Sequence, residues 1–399
     1  MAITEDPRLS SAPKAAQASF FYRPEVRQAI YQIVTVVALG ALFWMIVTNA
    51  AENLRRQNIA SGFNFLGSTS GFDISQSLIE YTNTMTYGRA FMVGLWNTVL
   101  VAVIGIFLAT ILGFVAGIAR LSNNWIVSRI ATLYIEVIRN VPLLLQLMLW
   151  YFGVLKSLPP PRQSHNFSDT VFLNVRGLYV PRPEWQVGSE FILAAILLGI
   201  LATIAIAIWA RRRQMATGQL FPTFWAGVGL IVLLPIAVFL ILGRPVEFDY
   251  PKLQGFNFQG GAVLQPELVA LVIGLTVYTG AFIAEIVRAG ILGVPKGQWE
   301  ASRAIGLSNG QLLRLVVIPQ AARIIIPPLT SNYLNLTKNS SLAIAIGYPD
   351  LVSVSGTILN QTGQAVENIL MIMGVYLTLS LLTSAFMNWF NAKMALVER

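Results

Sequence analysis

Charged and polar side chains interrupt two long apolar stretches of this sequence. Glu136 precedes Arg139 by three residues and Asn140 by four, so a helix places all three on one face. Lys338 lies deep in the second stretch, among the further candidates Asn332, Asn335, Ser340 and Ser341. An ionisable group in lipid is costly unless it is paired or hydrated, so these residues are candidates for binding a charged solute. Arg139 and Lys338 suit a carboxylate and Glu136 suits an amino group, which together fit a zwitterion without choosing among amino acids.

Both groups also allow an interpretation that involves no solute. Glu136 and Arg139 could form an ion pair within one helix that serves only the structure. Lys338 must extend toward the membrane surface, pair with a carboxylate or face a polar cavity. The neighbouring asparagines are hard to satisfy in lipid, and this favours the cavity.

The residue types needed for covalent or metal chemistry are scarce. The chain has no cysteine and one histidine, His165, in a predicted loop, which excludes disulfides and a Cys/His metal site. No two carboxylates occur at a convincing catalytic spacing within the membrane. The phosphate-binding pattern GxxxxGK[ST] is absent, so ATP hydrolysis by this chain is not expected. We therefore predict no catalytic residue, no metal and no bound cofactor.

The elements that position these residues are membrane helices. Hydrophobic residues make up 55% of the 399 residues and charged residues 11%, and the mean hydropathy is +0.64. Stretches of about twenty apolar residues cross a bilayer as helices, and runs of this length are not barrel strands. The prediction is an all-α polytopic bundle with eight spans. They are 28–51, 91–119, 128–155, 191–210, 222–243, 268–285, 319–348 and 368–392.

The net charge of +9 is distributed as in a membrane protein rather than a nucleic-acid-binding one. With the N-terminus inside, the cytoplasmic segments hold sixteen Lys and Arg residues and the opposite loops hold nine. This asymmetry predicts that both termini are cytoplasmic. Arg211, Arg212 and Arg213 form the densest cluster, which we interpret as a topology anchor; a site for anionic lipid is the alternative.

The region from Gly297 to Pro319 is polar and carries signals for two short helices between spans. Glu300 is predicted in the first turn of the first helix, whose apolar stripe contains Ala301, Ala304 and Ile305. Gly306 followed by Leu307 is typical of a helix stop with a left-handed glycine. A capping box from Ser308 to Gln311 starts the second helix. Such a pair is either a docking surface or an amphipathic connector that rests on the bilayer.

Gly113 and Gly117 lie four residues apart in the second span. Small residues at this spacing allow close helix packing, although glycine is also simply common in membrane helices.

Three segments resemble the permeases of ABC importers. The pattern Glu300-Ala301-Ser302, three residues, Gly306, nine residues, Val316-Val317-Ile318-Pro319 is similar to their EAA loop, with Ser302 in place of alanine. Residues 134–146 resemble the Tyr-Ile-Glu-x-x-Arg-Gly-Thr-Pro-Leu-Leu-x-Gln stretch of the polar amino acid permeases, and residues 336–342 resemble their Leu-x-Lys-x-Thr-Ser-Leu stretch. The extra first span and the insertion between Lys156 and Gln265 are similar to the longer permeases of general L-amino acid transporters.

The resemblance implies a five-helix type I permease core with extra helices, in a bacterial inner membrane. It divides the chain into a cytoplasmic tail (1–27), an extra span with a periplasmic loop (28–90), the first part of the core (91–155), periplasmic loops with two inserted helices (156–265), the second part of the core (266–392, with the coupling loop at 296–319) and a cytoplasmic tail (393–399). It assigns ATPase coupling to Gly297, Gln298, Glu300, Ala301, Ser302, Gly306, Leu307 and Pro319, and adds Gln146 to the candidate substrate path.

The resemblance also implies partners. These are ABC ATPase subunits that use the ATP, a second permease subunit in a heterodimer, a periplasmic amino acid-binding protein and membrane lipid, but no nucleic acid. The expected substrates are L-amino acids in general, and a glutamate/glutamine/aspartate/asparagine system is the nearest alternative. A secondary transporter or channel that works without an ATPase is a different class, for which no internal repeat is visible.

Overall fold

The computed structural model describes residues 24–56, 62–243 and 246–394. The predicted terminal tails, 1–27 and 393–399, fall largely outside these ranges. Within them, seven helices are long and apolar enough to cross a membrane, and a bent pair brings the number to eight. The prediction of a polytopic helical bundle with about eight spans is therefore confirmed.

The helices of the described residues alternate between long spans and short connecting pieces. They are α1 (Pro24–Arg56), α2 (Tyr87–Arg120), α3 (Trp125–Asn140), α4 (Leu143–Met148), α5 (Glu190–Thr217), α6 (Thr223–Val228), α7 (Leu234–Ile241), α8 (Pro266–Leu292), α9 (Lys296–Ala304), α10 (Asn309–Leu312), α11 (Ile318–Asn339), α12 (Leu351–Thr362) and α13 (Ala365–Met394).

Helices α2 and α8 form the most extensive contact among the described helices, and two glycines allow their close approach. A Cβ atom on Gly113 would lie 2.5 Å from the Ile283 Cβ, and one on Gly117 would lie 2.6 Å from the Ala284 carbonyl oxygen. No side chain fits at these distances. The predicted role of both glycines in close packing is confirmed.

The third predicted span, 128–155, is not one straight helix. It is bent by 108° between α3 and α4, where the chain passes through Val141 and Pro142. The prediction of a continuous helix was wrong because a proline disfavours helical geometry in the residue before it and cannot donate a helical hydrogen bond. The buried Gln146 side chain donates to the carbonyl oxygens of Ile138 and Val141, both at 2.9 Å, and so satisfies backbone groups at the bend.

Two other prolines are accommodated without a bend. Pro235 and Pro319 are each the second residue of a helix, α7 and α11, and each follows a five-residue π-helical segment, Gly229–Leu233 or Leu313–Val317. The carbonyl that a proline ring would clash with, four residues earlier, lies in this wider turn.

The insertion between the two parts of the bundle is a helical hairpin, α5 against α6–α7, on a base of short strands. No strand was predicted, but the described residues contain eight: β1 (His165–Phe167), β2 (Val171–Asn174), β3 (Gly177–Val180), β4 (Arg182–Trp185), β5 (Val246–Asp249), β6 (Lys252–Gln254), β7 (Asn257–Gln259) and β8 (Ala262–Leu264). β3 pairs antiparallel with β8 in the sheet β1-β2-β3-β8, and β4 pairs with β5. Chain segments before and after the hairpin therefore meet in the same strand layer.

Candidate functional site

The first helix of the predicted coupling region, α9, ends as its sequence predicts. Gly306 adopts the left-handed conformation with φ of 79°. The Leu307 amide donates to the Ser302 carbonyl at 3.1 Å, and the Gly306 amide donates to the Arg303 carbonyl at 3.0 Å. These are the two hydrogen bonds of a Schellman motif, so the chain turns sharply at this glycine.

The capping box that follows is also confirmed. The Ser308 amide donates to the Gln311 side-chain oxygen at 3.0 Å, and the Gln311 amide donates to the Ser308 Oγ at 3.4 Å. The sequence predicted a short separate helix here, and that prediction was wrong. Through the wide turn at Leu313–Val317 it continues into α11, and Pro319 lies in its second position.

Glu300 does not lie in the first turn of α9, and that prediction was wrong. The helix starts earlier than expected, at Lys296 directly after Pro295, so Glu300 is in its second turn. The extended conformation of Pro295 (ψ 136°) marks the start, because proline is readily accepted where no helical amide donor is needed.

The two faces of α9 differ sharply in exposure. Ser302 is 4% exposed and its hydroxyl donates to the Gln298 carbonyl at 2.6 Å, while Trp299 packs against the bundle core. The predicted apolar stripe of Ala301, Ala304 and Ile305 lies on the opposite, exposed face, where Ile305 is 76% exposed. An apolar stripe beside an exposed carboxylate, presented on a sharply terminated helix, has the character of a contact surface for another protein. Gly297, Gln298 and Glu300 are likewise exposed.

The candidate asparagines of α11 lie together on one side of a polar cavity. Asn332 and Asn335, with Asn339 one turn further on, line a cavity of about 250 Å³ together with Tyr278, Thr279 and Phe282 of α8. Lys338 does not line this cavity. Its side chain is exposed, and the ammonium group makes no hydrogen bond or ion pair with the described part of the chain.

The two candidate serines are engaged with their own backbone. The buried Ser340 hydroxyl donates to the Thr337 carbonyl, and the Ser341 hydroxyl donates to the Lys338 carbonyl, both at 2.7 Å. In this arrangement neither hydroxyl proton is directed at the cavity, although their oxygens remain able to accept.

Glu136 pairs with a residue that the sequence did not single out. Arg120, the last residue of α2, donates to Glu136 at 2.8 Å and to Glu285 of α8 at 2.6 Å. Arg288 donates from its Nε atom to Glu285 at 3.1 Å, as expected for residues three apart. Arg120 was counted only as a cytoplasmic charge; its partners lie 16 and 165 residues away, and no local pattern reveals such a pairing.

Arg139 and Asn140 therefore have other contacts. The Arg139 guanidinium lies 5.2 Å from the centre of the Phe282 ring, which is one wall of the asparagine-lined cavity. The Asn140 side chain donates to the Glu136 carbonyl at 2.7 Å. The structure thus brings Arg139 and the asparagines to the same part of the bundle, while Glu136 faces the cluster of ion pairs.

A buried carboxyl group, Asp350, was also missed. It is 0% exposed and caps α12 by accepting from the Ser353 amide at 2.9 Å, while its other oxygen has no hydrogen-bond partner within the described residues. Burial raises the pKa of Asp350 to about 7. Pro349-Asp350 before an apolar run is a helix-start signal that could have identified the cap, though not its burial.

The comparisons with known proteins agree with this architecture. Residues 212–396 match the family described as binding-protein-dependent transport system inner membrane component. The general L-amino acid transport system permease protein AapQ of Rhizobium johnstonii is 55% identical over 381 residues, which cover 96% of this chain and 95% of AapQ. The putative amino-acid ABC transporter permease protein YhdX of Escherichia coli is 50% identical over 95% of this chain and 97% of its own length.

A third relative has a different substrate in its name. The glutamate/glutamine/aspartate/asparagine transport system permease protein BztB of Rhodobacter capsulatus is 41% identical over the full length of both chains. Similarity at this level covers the core, the additional first span and the inserted hairpin alike. The chain belongs to the inner membrane permeases of binding-protein-dependent ABC transport systems.

Proposed function

We propose that this chain is the permease subunit of an ABC importer for L-amino acids and that α9 docks onto a separate ATPase subunit. The observation that carries this proposal is the exposed apolar stripe at Ala301, Ala304 and Ile305, held next to the Schellman turn at Gly306. A stripe that nothing in the described chain covers, on a helix joined rigidly to two spans, is suited to receive a partner. A carrier that works alone has no need of it.

The substrate class follows from the relatives rather than from the site. AapQ is named for general L-amino acid transport and is the more similar, whereas BztB is named for glutamate, glutamine, aspartate and asparagine. We propose uptake of L-amino acids in general. The side chains proposed for the path are the asparagines that line the cavity, Arg139 beside it and Lys338, whose ammonium group has no partner among the residues that the structure describes.

The proposed assembly has two permease subunits, this one and a different one, two ATPase subunits and a periplasmic binding protein. We propose that both termini are cytoplasmic in a bacterial inner membrane, which is supported by the excess of Lys and Arg on that side. Glu300, Ser302 and Gly306 belong to the proposed coupling residues because each shapes or flanks the exposed face of α9.

Co-purification in mild detergent tests the docking. An Ile305→Glu variant places a charge in the stripe and should lose the ATPase subunit and ATP-driven uptake. Val187→Glu is the matched control, because Val187 is 99% exposed outside the helices, and it should behave as wild type. Full uptake by this chain alone in vesicles without an ATPase would contradict the proposal.

Uptake into vesicles that contain the complete complex tests the path. Lys338→Ala should lower amino acid uptake while the ATPase still co-purifies, and Lys338→Arg, which keeps the positive charge, should retain more activity. Normal transport by Lys338→Ala would remove this residue from the path without affecting the docking proposal. Competition among neutral, acidic and basic L-amino acids separates a general system from one restricted to glutamate, aspartate and their amides.

A further inference from the structure

The inserted hairpin carries three successive arginines, Arg211 to Arg213, near the end of α5. An α-helix rises about 1.5 Å per residue, so Arg211, 21 residues after Glu190, lies roughly 32 Å from the start of the helix. This exceeds the roughly 30 Å of the hydrocarbon core and places the arginines at the depth of lipid headgroups. α5 follows β4, which comes directly after β3, and α8 follows β8, the strand paired with β3. Both helices therefore start from the strands, and the arginines lie on the same side as α9.

The three arginines are not equivalent. The Arg213 guanidinium lies 5.4 Å from the Trp209 ring centre and donates to the Gln219 side chain at 2.7 Å. The side chains of Arg211 and Arg212 make no hydrogen bond or ion pair within the described ranges. Residues 191–246 of the sequence contain no Asp or Glu, so no carboxylate of the connector neutralises them.

The surroundings of Arg211 and Arg212 are open and apolar. Both lie on an open face of α5, together with Ile208, Met215 and Ala216 of the same helix. The main neighbours of α5 are the other parts of the hairpin, and its leucines and isoleucines are largely exposed. In a bilayer these exposed apolar faces are suited to contact with lipid, and the face that carries Arg211 and Arg212 is continuous with them.

We propose that Arg211 and Arg212 form a binding site for the phosphate headgroup of an anionic phospholipid whose acyl chain lies along Ile208. A guanidinium group binds phosphate through two parallel hydrogen bonds, and two free guanidinium groups favour a lipid with net negative charge over a zwitterionic one. A topology anchor needs only positive charge, which lysine supplies equally well. A phosphate site depends on the planar guanidinium group, and this difference makes the two roles separable.

The test titrates the purified full-length chain with phosphatidylglycerol or phosphatidylcholine and counts the bound lipids by native mass spectrometry. Wild type should retain phosphatidylglycerol preferentially. Near a membrane surface each basic residue contributes enough to change lipid affinity about fivefold, so the Arg211→Gln/Arg212→Gln pair should weaken binding on the order of 25-fold. Arg176→Gln/Arg182→Gln removes the same charge from the strand layer and should bind as wild type.

The lysine pair Arg211→Lys/Arg212→Lys keeps the topology signal and should still bind phosphatidylglycerol several-fold more weakly than wild type. Because the chain has no cysteine, a single Leu220→Cys label, at an exposed position of the connector, reports the side on which the connector lies in each variant. Equal retention of both lipids by wild type would overturn the proposal. Retention of phosphatidylglycerol at the wild-type level by the glutamine pair would also overturn it. If the label shows that the glutamine pair has inverted its topology, the lysine pair decides instead, and wild-type retention of phosphatidylglycerol by the lysine pair would overturn the proposal.

Discussion

Gly306 is the position at which a single added carbon atom tests the coupling element. No atom lies within 4 Å of the place a Cβ would occupy, so a substitution there meets no clash. Its cost is conformational, because φ is 79° and an L residue in the left-handed region costs about 1–2 kcal/mol. A β-branched residue fits worse still. If the turn relaxes instead, the two hydrogen bonds at the end of α9 are lost, at about 1 kcal/mol each.

The same element contains a matched control. Gly310 lies in α10 without a positive φ, and its Cβ position is equally open. Gly310→Ala should therefore be neutral or should stabilise by about 0.4–1 kcal/mol. At Gly306 we expect increasing damage in the order Asn, Ala, Val, since asparagine tolerates the left-handed conformation best.

The assay compares ATP hydrolysis with amino acid uptake in vesicles that contain the complete complex. A loss of 1–2 kcal/mol changes the population of the correctly turned element by about 5–30-fold, so Gly306→Val should lower uptake per ATP strongly while Gly310→Ala does not. Normal coupling in Gly306→Val would refute the idea that this turn transmits force. Equal damage from Gly310→Ala would show that the element responds to any added side chain rather than to the turn.

Three further predictions concern packing and charge within the bundle. Gly117→Ala should lower the free energy of unfolding by about 1–3 kcal/mol, because its Cβ meets the backbone of α8, whereas Gly374→Ala, with open space, should not. Arg120→Gln should lower the free energy of unfolding by about 1–3 kcal/mol, since it removes two charged hydrogen bonds. Glu136→Gln should lower it by less than about 1 kcal/mol, because Glu136 is the more exposed of the two partners of Arg120. The pKa of Asp350 is about 7 in the folded state against an ordinary 3.8, so between these two pH values the carboxyl group ionises only in the unfolded state. The free energy of unfolding should therefore fall by about 4 kcal/mol as pH rises through this range, and it should stay low at higher pH.

Thermal unfolding of the purified chain checks all three predictions. If Gly117→Ala and Gly374→Ala lose equal stability, close contact between α2 and α8 is excluded as the cause. If Arg120→Gln and Glu136→Gln lose equal stability, Arg120 is excluded as the shared partner of Glu136 and Glu285. Asp350→Asn keeps the helix cap, because asparagine caps as well as aspartate, and should flatten the pH dependence. An unchanged pH dependence in that variant would assign it to another group.

The local signals of the sequence were sufficient where the structure is local. The glycine stop at Gly306 and the capping box at Ser308 involve residues at most five apart, and both form as predicted. Pro142 carried an equally local signal for a break in the third span, but the apolar run around it concealed the bend. Hydropathy gives the length of an apolar stretch, not its direction.

Long-range pairings could not be predicted in this way. Arg120 lies 165 residues from Glu285, and the strands β3 and β8 lie on either side of an inserted hairpin. Nothing in a single sequence specifies which of several basic residues a carboxylate meets, because that depends on how the helices cross. The asparagine-lined cavity is an intermediate case: the spacing on α11 indicated a common face, but Tyr278, Thr279 and Phe282 opposite it required the packing of α8.

The way α8 and α11 are connected suggests how the proposed partner at α9 would act on the cavity. All six residues that line the cavity belong to these two helices. α8 ends at Leu292, four residues before α9 begins, and α11 continues from α10 through the wide turn. The helix spans roughly 30 Å from Leu312 to Asn332. A small rotation at the α10 end of this helix therefore moves the asparagines by a comparable angle across the cavity. A partner that shifts α9 and α10 therefore displaces both walls of the cavity at once, without any contact of its own within the membrane.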